Sequence, residues 1–360
     1  MAARESIPKA QDSSLYISFL ALFGVIILAL IVARYEITRS SPASPPRRFQ
    51  VSTWIPYWDR ANVHAAFAAQ AANIDEANFF WYEVLSDGSL RAFPGAEDAS
   101  LLELARANKM RVLPTIMNDF DGPRVAVLLA DDESRTAHVD AIAALVERMS
   151  YDGIELDYEA LSAETRDDFS IFVEDLAEIL HQKGKILSIA VHPKTNDSGT
   201  WHGPQAQDWP RLGAAVDEFK IMVYDYHWNT SPPGPIAPLD WEEDVLAYAG
   251  QTVPPEKTWL GIPFYGRDWA EGQGQGLVWT AAEKLIRQYR PTTRRDADSG
   301  ELYFSYTISD TRHTVYLPDS RAIAHKVQRA KQNHPNIAGI AIWRLGGESP
   351  GHWAAIQNER

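Results

Sequence analysis

Eight short apolar runs, spaced by amphipathic stretches, set the limits on what this chain can fold into. They are Gln50–Pro56, Ala77–Tyr82, Arg111–Met117, Gly153–Tyr158, Ile186–Val191, Phe219–Tyr224, Trp259–Tyr265 and Ile337–Leu345. Between most of them lie stretches with helical periodicity, such as Arg135–Met149 and Thr165–Lys183. Repeated strand-then-helix units imply a parallel sheet. Eight of them predict an α/β architecture, a closed (β/α)8 TIM barrel over residues 49–360. With 360 residues, 45% of them hydrophobic, the chain can fill such a core. The span exceeds the ~250 residues of a plain barrel. The excess falls between the seventh and eighth runs, where Thr280–Tyr289 reads as a helix and Leu302–Thr307 and Thr314–Leu317 read as strands. These predict a small α+β insertion at about 271–319, forming one wall of a groove on the C-terminal face.

Ahead of the barrel the character changes. Leu15–Ala33 carries no charge and no polar face. At about 1.5 Å per residue such a stretch spans roughly 28 Å, close to the apolar thickness of a bilayer. The expectation is an uncleaved single-pass signal anchor at 15–33, between a 1–14 tail and a Pro/Ser linker at 34–48. Arg4 and Lys9 precede the apolar segment, and Arg34, Arg39, Arg47 and Arg48 follow it. That charge count by itself favours a cytoplasmic barrel.

Composition removes several classes of function. The net charge is −14 and no Lys/Arg run interrupts it, so the footprint for nucleic acid is missing. The chain has no cysteine, which removes disulfides, thiolate metal sites and thiol catalysis. His192 and His227 lie near strand ends without ligand spacing and read as ordinary polar residues. Asp296–Glu301 lacks the full calcium-loop pattern and reads as a hairpin turn. Gly272–Gly276 does not join a strand to a helix, which argues against phosphate binding. Neither a metal nor a cofactor is expected.

The fourth run departs from its neighbours. Tyr151–Leu161 reads YDGIELDYEAL, with carboxylates at every second position: Glu155, Asp157 and Glu159. Side chains alternate along a strand, so these three share one face and Ile154, Leu156 and Tyr158 share the other. In a barrel the acidic face lines the interior and rises to the C-terminal mouth, where active sites of this fold lie. Close, poorly solvated carboxylates cannot all ionise, so at least one should hold its proton. A general acid for a glycosidic oxygen needs that state. Asp157 and Glu159 are about 6.6 Å apart along one strand and approach a sugar from the same side. An opposed acid/base or acid/nucleophile pair fits this poorly. Substrate-assisted retention fits it: a 2-acetamido oxygen attacks its own anomeric carbon, Asp157 orients the acetamide, and Glu159 protonates the leaving group and then activates water.

These residues resemble glycoside hydrolase family 18. Its fourth-strand signature DxxDxDxE is matched by Asp152–Glu159 at all but one acidic position. Its sixth-strand MxYD is matched by Met222, Tyr224 and Asp225, and its eighth-strand Trp with Leu-Gly by Trp343, Leu345 and Gly346. The resemblance runs from about Phe49 to the C-terminus. It implies Glu159 as acid/base, Asp157 on the acetamide nitrogen, Tyr224 on the acetamide oxygen, Asp225 near the same sugar, and Trp343 as its apolar floor. Glu155 stands where the family usually has Asp. Its longer side chain is expected to share a proton with Asp157 while crowding the barrel, and Glu155→Asp is expected to stay active.

The third-strand Ser-x-Gly-Gly of chitinases is replaced by Leu113–Asn118, LPTIMN. Ser231–Trp241, Pro263–Trp269 and Tyr303–Ser320 look like the spore-cortex-lytic and related bacterial cell-wall branch. Further substrate contacts are expected from Tyr57, Trp81, Asn118, Tyr265 and Arg267 at strand ends. The resulting expectation is a hydrolase cutting β-1,4 bonds next to N-acetylglucosamine, with peptidoglycan favoured over chitin-type oligosaccharides. The competing class is a glycan-binding protein on the same barrel, against which the presence of Glu159 argues. Transglycosylation would use the same residues. Such polymers lie outside the cell membrane, so substrate location outweighs the charge count and places the barrel outside. A monomer is expected.

Overall fold

The computed structural model describes residues 48–360. The expected anchor at 15–33 lies outside the described residues, among which no helix is long and apolar enough to cross a membrane. The eight strands are β1 (Gln50–Ile55), β2 (Glu76–Val84), β3 (Thr115–Met117), β4 (Gly153–Asp157), β5 (Ile186–Val191), β6 (Glu218–Ile221), β7 (Thr258–Pro263) and β8 (Gly339–Trp343). They pair in parallel in chain order, and β8 closes on β1 with Val51 opposite Ile340. The third run is interrupted. Arg111–Val112 pairs with β2, and the ladder resumes only at Thr115. Pro114 between them has no N–H to give, although its carbonyl still accepts from Glu155 N.

The strand faces divide as the alternation predicts. Ile154, Leu156 and Tyr158 point outward and are wholly buried against the helices. Tyr158 bonds His138 Nε2 at 2.6 Å, on the helix Asp132–Met149, and its ring lies parallel to Phe172 on the helix Arg166–Gln182. Burying each such aliphatic side chain contributes about 1.5–3 kcal/mol. Gly153 opens β4 because β5 passes too close for a side chain: a Cβ there would sit 2.1 Å from Ile186 O.

The insertion begins earlier than the sequence predicts, at Tyr265. Tyr265–Ala270 starts a second, antiparallel sheet. Its order is Gln273–Val278, Tyr265–Ala270, Thr311–Leu317, Leu302–Ile308, Arg294–Arg295. Gln273–Val278 escapes sequence reading because its glycines look like a loop. The helix Trp279–Tyr289 packs on Phe304, Tyr306, Val315 and Leu317. Three of the bonds that fasten this sheet to the loop after β6 involve side chains: Glu301 accepts from Ile236 N and Ala237 N at 2.8 and 3.0 Å, and Trp269 Nε1 donates to Trp228 O. The insertion therefore stands over one side of the barrel mouth.

Candidate active site

The acidic face of β4 climbs from the barrel floor to its mouth, and each carboxylate meets a different environment. Asp152, just before the strand, does structural work by accepting from Val112 N at 2.8 Å. Glu155 is fully buried. Its Oε1 accepts from Trp54 Nε1 and from Thr115 Oγ1 at 3.0 Å, and its Oε2 from Ser188 Oγ at 3.0 Å and Lys220 Nζ at 2.5 Å. A carboxylate has about four acceptor sites, and all are filled. The longer side chain reaches Lys220, and among the described residues Glu155 makes no hydrogen bond to Asp157. Lys220 escaped sequence reading, although a lysine inside an apolar strand run is a signal of a buried partner.

Asp157, one step higher, is 6% exposed, and its Oδ1 has no hydrogen-bond partner among the described residues. Burial, with Glu159 and Glu155 close by, pushes its pKa well above the carboxylate range. Glu159 lies past the strand end, at the mouth. Burial, then the charge of Asp225, raises its pKa to about 7. Its main chain is clamped from β3: Glu159 N donates to Asn118 Oδ1 at 2.9 Å, and Asn118 Nδ2 donates to Glu159 O at 2.8 Å. Asn118 is 1% exposed, so the structure places it behind the acid and not against the substrate. His192, at the end of β5, holds Nε2 3.7 Å from Glu159 Oε2. Burial lowers the His192 pKa to about 4, which keeps the ring neutral. Sequence reading treated it as an ordinary polar residue. The available signal was its place just past a barrel strand's C-terminal end.

The segment after β6 carries Tyr224 and Asp225. Asp225 sits at φ 58°, a left-handed conformation that a short polar residue tolerates. Its Oδ1 takes three donors: Tyr265 OH at 2.6 Å, Arg267 Nη2 at 2.7 Å and Arg267 Nε at 3.1 Å. The structure thus brings Asp225, Tyr265 and Arg267 together as one cluster. Tyr224 meets Tyr265 edge to face at 6.0 Å. Burial raises its pKa well above the ordinary value, so it remains a hydroxyl donor.

Aromatic rings line the other side. Trp343 packs edge-on against Phe80 at 5.1 Å and Trp54 at 5.9 Å. Tyr57 stacks on Phe93 at 4.0 Å and packs at the margin of the same cluster. Trp81 is placed elsewhere: it is 2% exposed and stacks on Phe79 between barrel and helices. Alternation puts Phe80 inside, and the pairing shifts register between Phe80 and Tyr82. A cavity of about 910 Å³ opens from Glu159, Tyr224 and Asp225 towards Trp201, Tyr226 and Trp228. Those three rings are 48%, 45% and 50% exposed, unlike the core aromatics. They sit in loops after β5 and β6, where no strand pattern flagged them. His227 lines the same cavity but gives Nδ1 to Pro235 O at 2.8 Å.

Comparison with known proteins agrees with this geometry. The profile of Glycosyl hydrolases family 18 matches residues 53–348. A putative sporulation-specific glycosylase of Bacillus subtilis is 30% identical over 77% of this chain and 67% of its own. The cortical fragment-lytic enzyme of Bacillus anthracis is 28% identical over 77% of this chain and 66% of its own. Among solved structures, a chitinase from Chromobacterium violaceum superposes with a TM-score of 0.80 at 27% identity, covering 86% of this chain and 98% of that one. The Bacillus cereus spore cortex-lytic enzyme SleL gives 0.79 at 25%, covering 88% and 76%. With its barrel, its acidic fourth strand and a family match over most of its length, this chain belongs to the glycosyl hydrolases of family 18.

Proposed function

We propose that this chain hydrolyses β-1,4 bonds next to N-acetylglucosamine in a cell-wall polymer, with retention and with the substrate's own acetamide as nucleophile. The observation that carries the reading is the vertical pair on β4: a buried Asp157, its pKa pushed well above the carboxylate range, directly below a Glu159 whose pKa is raised to about 7. Glu159 gives its proton to the glycosidic oxygen as the bond to the anomeric carbon breaks. The acetamide oxygen closes on that carbon from the other face, and the positive charge spreads over the resulting ring. Asp157 accepts from the acetamide N–H and Tyr224 donates to the acetamide oxygen, which holds the nucleophile in line. Glu159, now ionised, takes a proton from water as the water opens the ring with net retention. Trp343 underlies the apolar face of the sugar. Trp201, Tyr226 and Trp228 offer stacking surface for neighbouring sugars along the cavity.

Peptidoglycan is the favoured polymer, on the strength of the cortex-lytic relatives. The protein acts as a monomer, held at the cell membrane by 15–33 with its barrel outside. The full-length protein, assayed on cortex peptidoglycan, vegetative peptidoglycan and chitooligosaccharides with products read by mass, tests the reading. Products ending in N-acetylglucosamine, with the β configuration at the new reducing end, are expected. Binding without product on all three would replace it with a glycan-binding role. Protease treatment of intact cells tests the topology, and protection of the barrel until lysis would reverse it.

A further inference from the structure

The floor of the barrel holds a charged cluster that the proposed chemistry never touches. Glu155 accepts from four strands: β1 through Trp54, β3 through Thr115, β5 through Ser188 and β6 through Lys220. A protonated Glu155 would turn an O–H against one of these donors and lose a bond. Lys220 is equally committed. Its three N–H groups face Glu155 and Glu76, each at 2.5 Å, and Asn78 Oδ1 at 2.9 Å. Both side chains of the pair are 0% exposed.

The remaining charges of the floor come from neighbouring strands. Glu76 opens β2 and Glu218 opens β6; Arg111 precedes β3 and reaches Glu76 at 2.8 Å and Glu218 at 2.7 Å. Burial, then the nearby Glu76, lifts the Glu218 pKa to about 8, so it keeps a proton at neutral pH. Two cations, Lys220 and Arg111, then face two carboxylates, Glu76 and Glu155. Above them on β4 stand Asp157 and Glu159.

Taking Glu159 as the acid of the proposed hydrolysis, we propose that Lys220 is a positioning residue: it fixes Glu155 as a permanent carboxylate, and so confines the catalytic proton to Asp157 and Glu159. The proton has no way down, because every acceptor site on Glu155 is filled. The fixed negative charge below presses Asp157 to keep its proton and to turn its bonding upward, towards Glu159 and the sugar. Glutamate at 155 and lysine at 220 form one device, since the extra methylene of Glu155 is what brings its carboxylate to Lys220.

Infrared difference spectra of the full chain at neutral pH read the proton directly and do not depend on turnover. Glu155→Gln should leave the protonated-carboxyl band intact, whereas Asp157→Asn should remove intensity from it. Loss of that band in Glu155→Gln overturns the proposal. The isosteric amide leaves Lys220 bonded to Glu76 and Asn78, so the variant should fold. A second arm removes the lysine. Lys220→Met takes away the cation that holds Glu155 ionised, so Glu155 should take up a proton and the single variant should gain protonated-carboxyl intensity. Glu155→Gln/Lys220→Met has no carboxyl at 155 and should lack that gain. An unchanged band in the single variant overturns the proposal even if stability falls. A wild-type chain that turns over no glycan, with the infrared result intact, counts against the hydrolytic reading and leaves the proton confinement standing.

Discussion

The floor and the mouth of this barrel are built on the same strand and obey opposite rules. At the floor, Glu155 has every acceptor site filled and faces Lys220 across a buried pair. At the mouth, two residues further on, Asp157 Oδ1 is buried with no partner among the described residues, and the pKa of Glu159 is raised to about 7. Both are carboxylates in a poorly solvated interior, so burial alone does not decide what they do. The supply of donors decides. Satisfied, the carboxylate is structure; unsatisfied, it is a proton carrier and a vacancy in the hydrogen-bond pattern that a sugar amide can fill.

The comparison breaks most plainly at the mouth. Glu159→Gln keeps shape and removes the proton, and kcat should fall on the order of 10³-fold with the fold intact. Loss of less than tenfold, read by product mass, would show that the acid lies elsewhere. At the floor the same logic predicts damage to stability. Arg111→Met strips a cation from Glu76 and Glu218, at 2.8 and 2.7 Å. Because the Arg111 side chain is 27% exposed, the cost should be about 2 kcal/mol, below that of a fully buried pair. Denaturant unfolding measures it. Activity of the folded fraction should stay within about twofold, since this floor group reaches no reacting atom; a large fall in kcat at unchanged stability would mean that Arg111 also acts on the mouth, as is proposed for Lys220. Asn118→Ala lies between the two regions, because it frees the main chain of Glu159 without touching its carboxyl. We expect about a tenfold fall in kcat with KM nearly unchanged. A rise in KM alone would return Asn118 to the substrate.

What the sequence made legible follows from the same contrast. Eight runs spaced by helices gave the barrel, because strand and helix periods are written in the apolar pattern. The row Glu155, Asp157, Glu159 stood out because charges on a buried strand are costly. Partners were harder to see. Lys220, Asn118 and His192 reach the row from β6, β3 and β5, and nothing in a linear pattern states which strands neighbour which side chain. Trp81 was a misreading of one position: its place at the end of the second run suggested a stacking surface, whereas alternation with Phe80 turns it outward between barrel and helices. The insertion boundary slipped for a related reason: Tyr265–Ala270 continues the apolar run of β7 yet belongs to another sheet.

The smallest effect concerns the charge that sits beside the acid. Glu159 must be protonated to act, so with a pKa raised to about 7 its activity should fall as pH climbs through that value. Part of the rise is the work of Asp225, whose negative charge disfavours ionisation of Glu159. Arg267 holds Asp225 Oδ1 through two nitrogens and partly cancels that charge. Arg267→Met should therefore leave Asp225 less compensated, raise the proton affinity of Glu159, and move the alkaline limb of kcat/KM upward by about half a unit. Tyr265 still donates to Asp225, which keeps the side chain near its place. A downward move would show that Arg267 acts on Glu159 through a path other than Asp225. An unmoved limb with a higher KM would make Arg267 a sugar contact, as its position beyond the seventh strand first suggested.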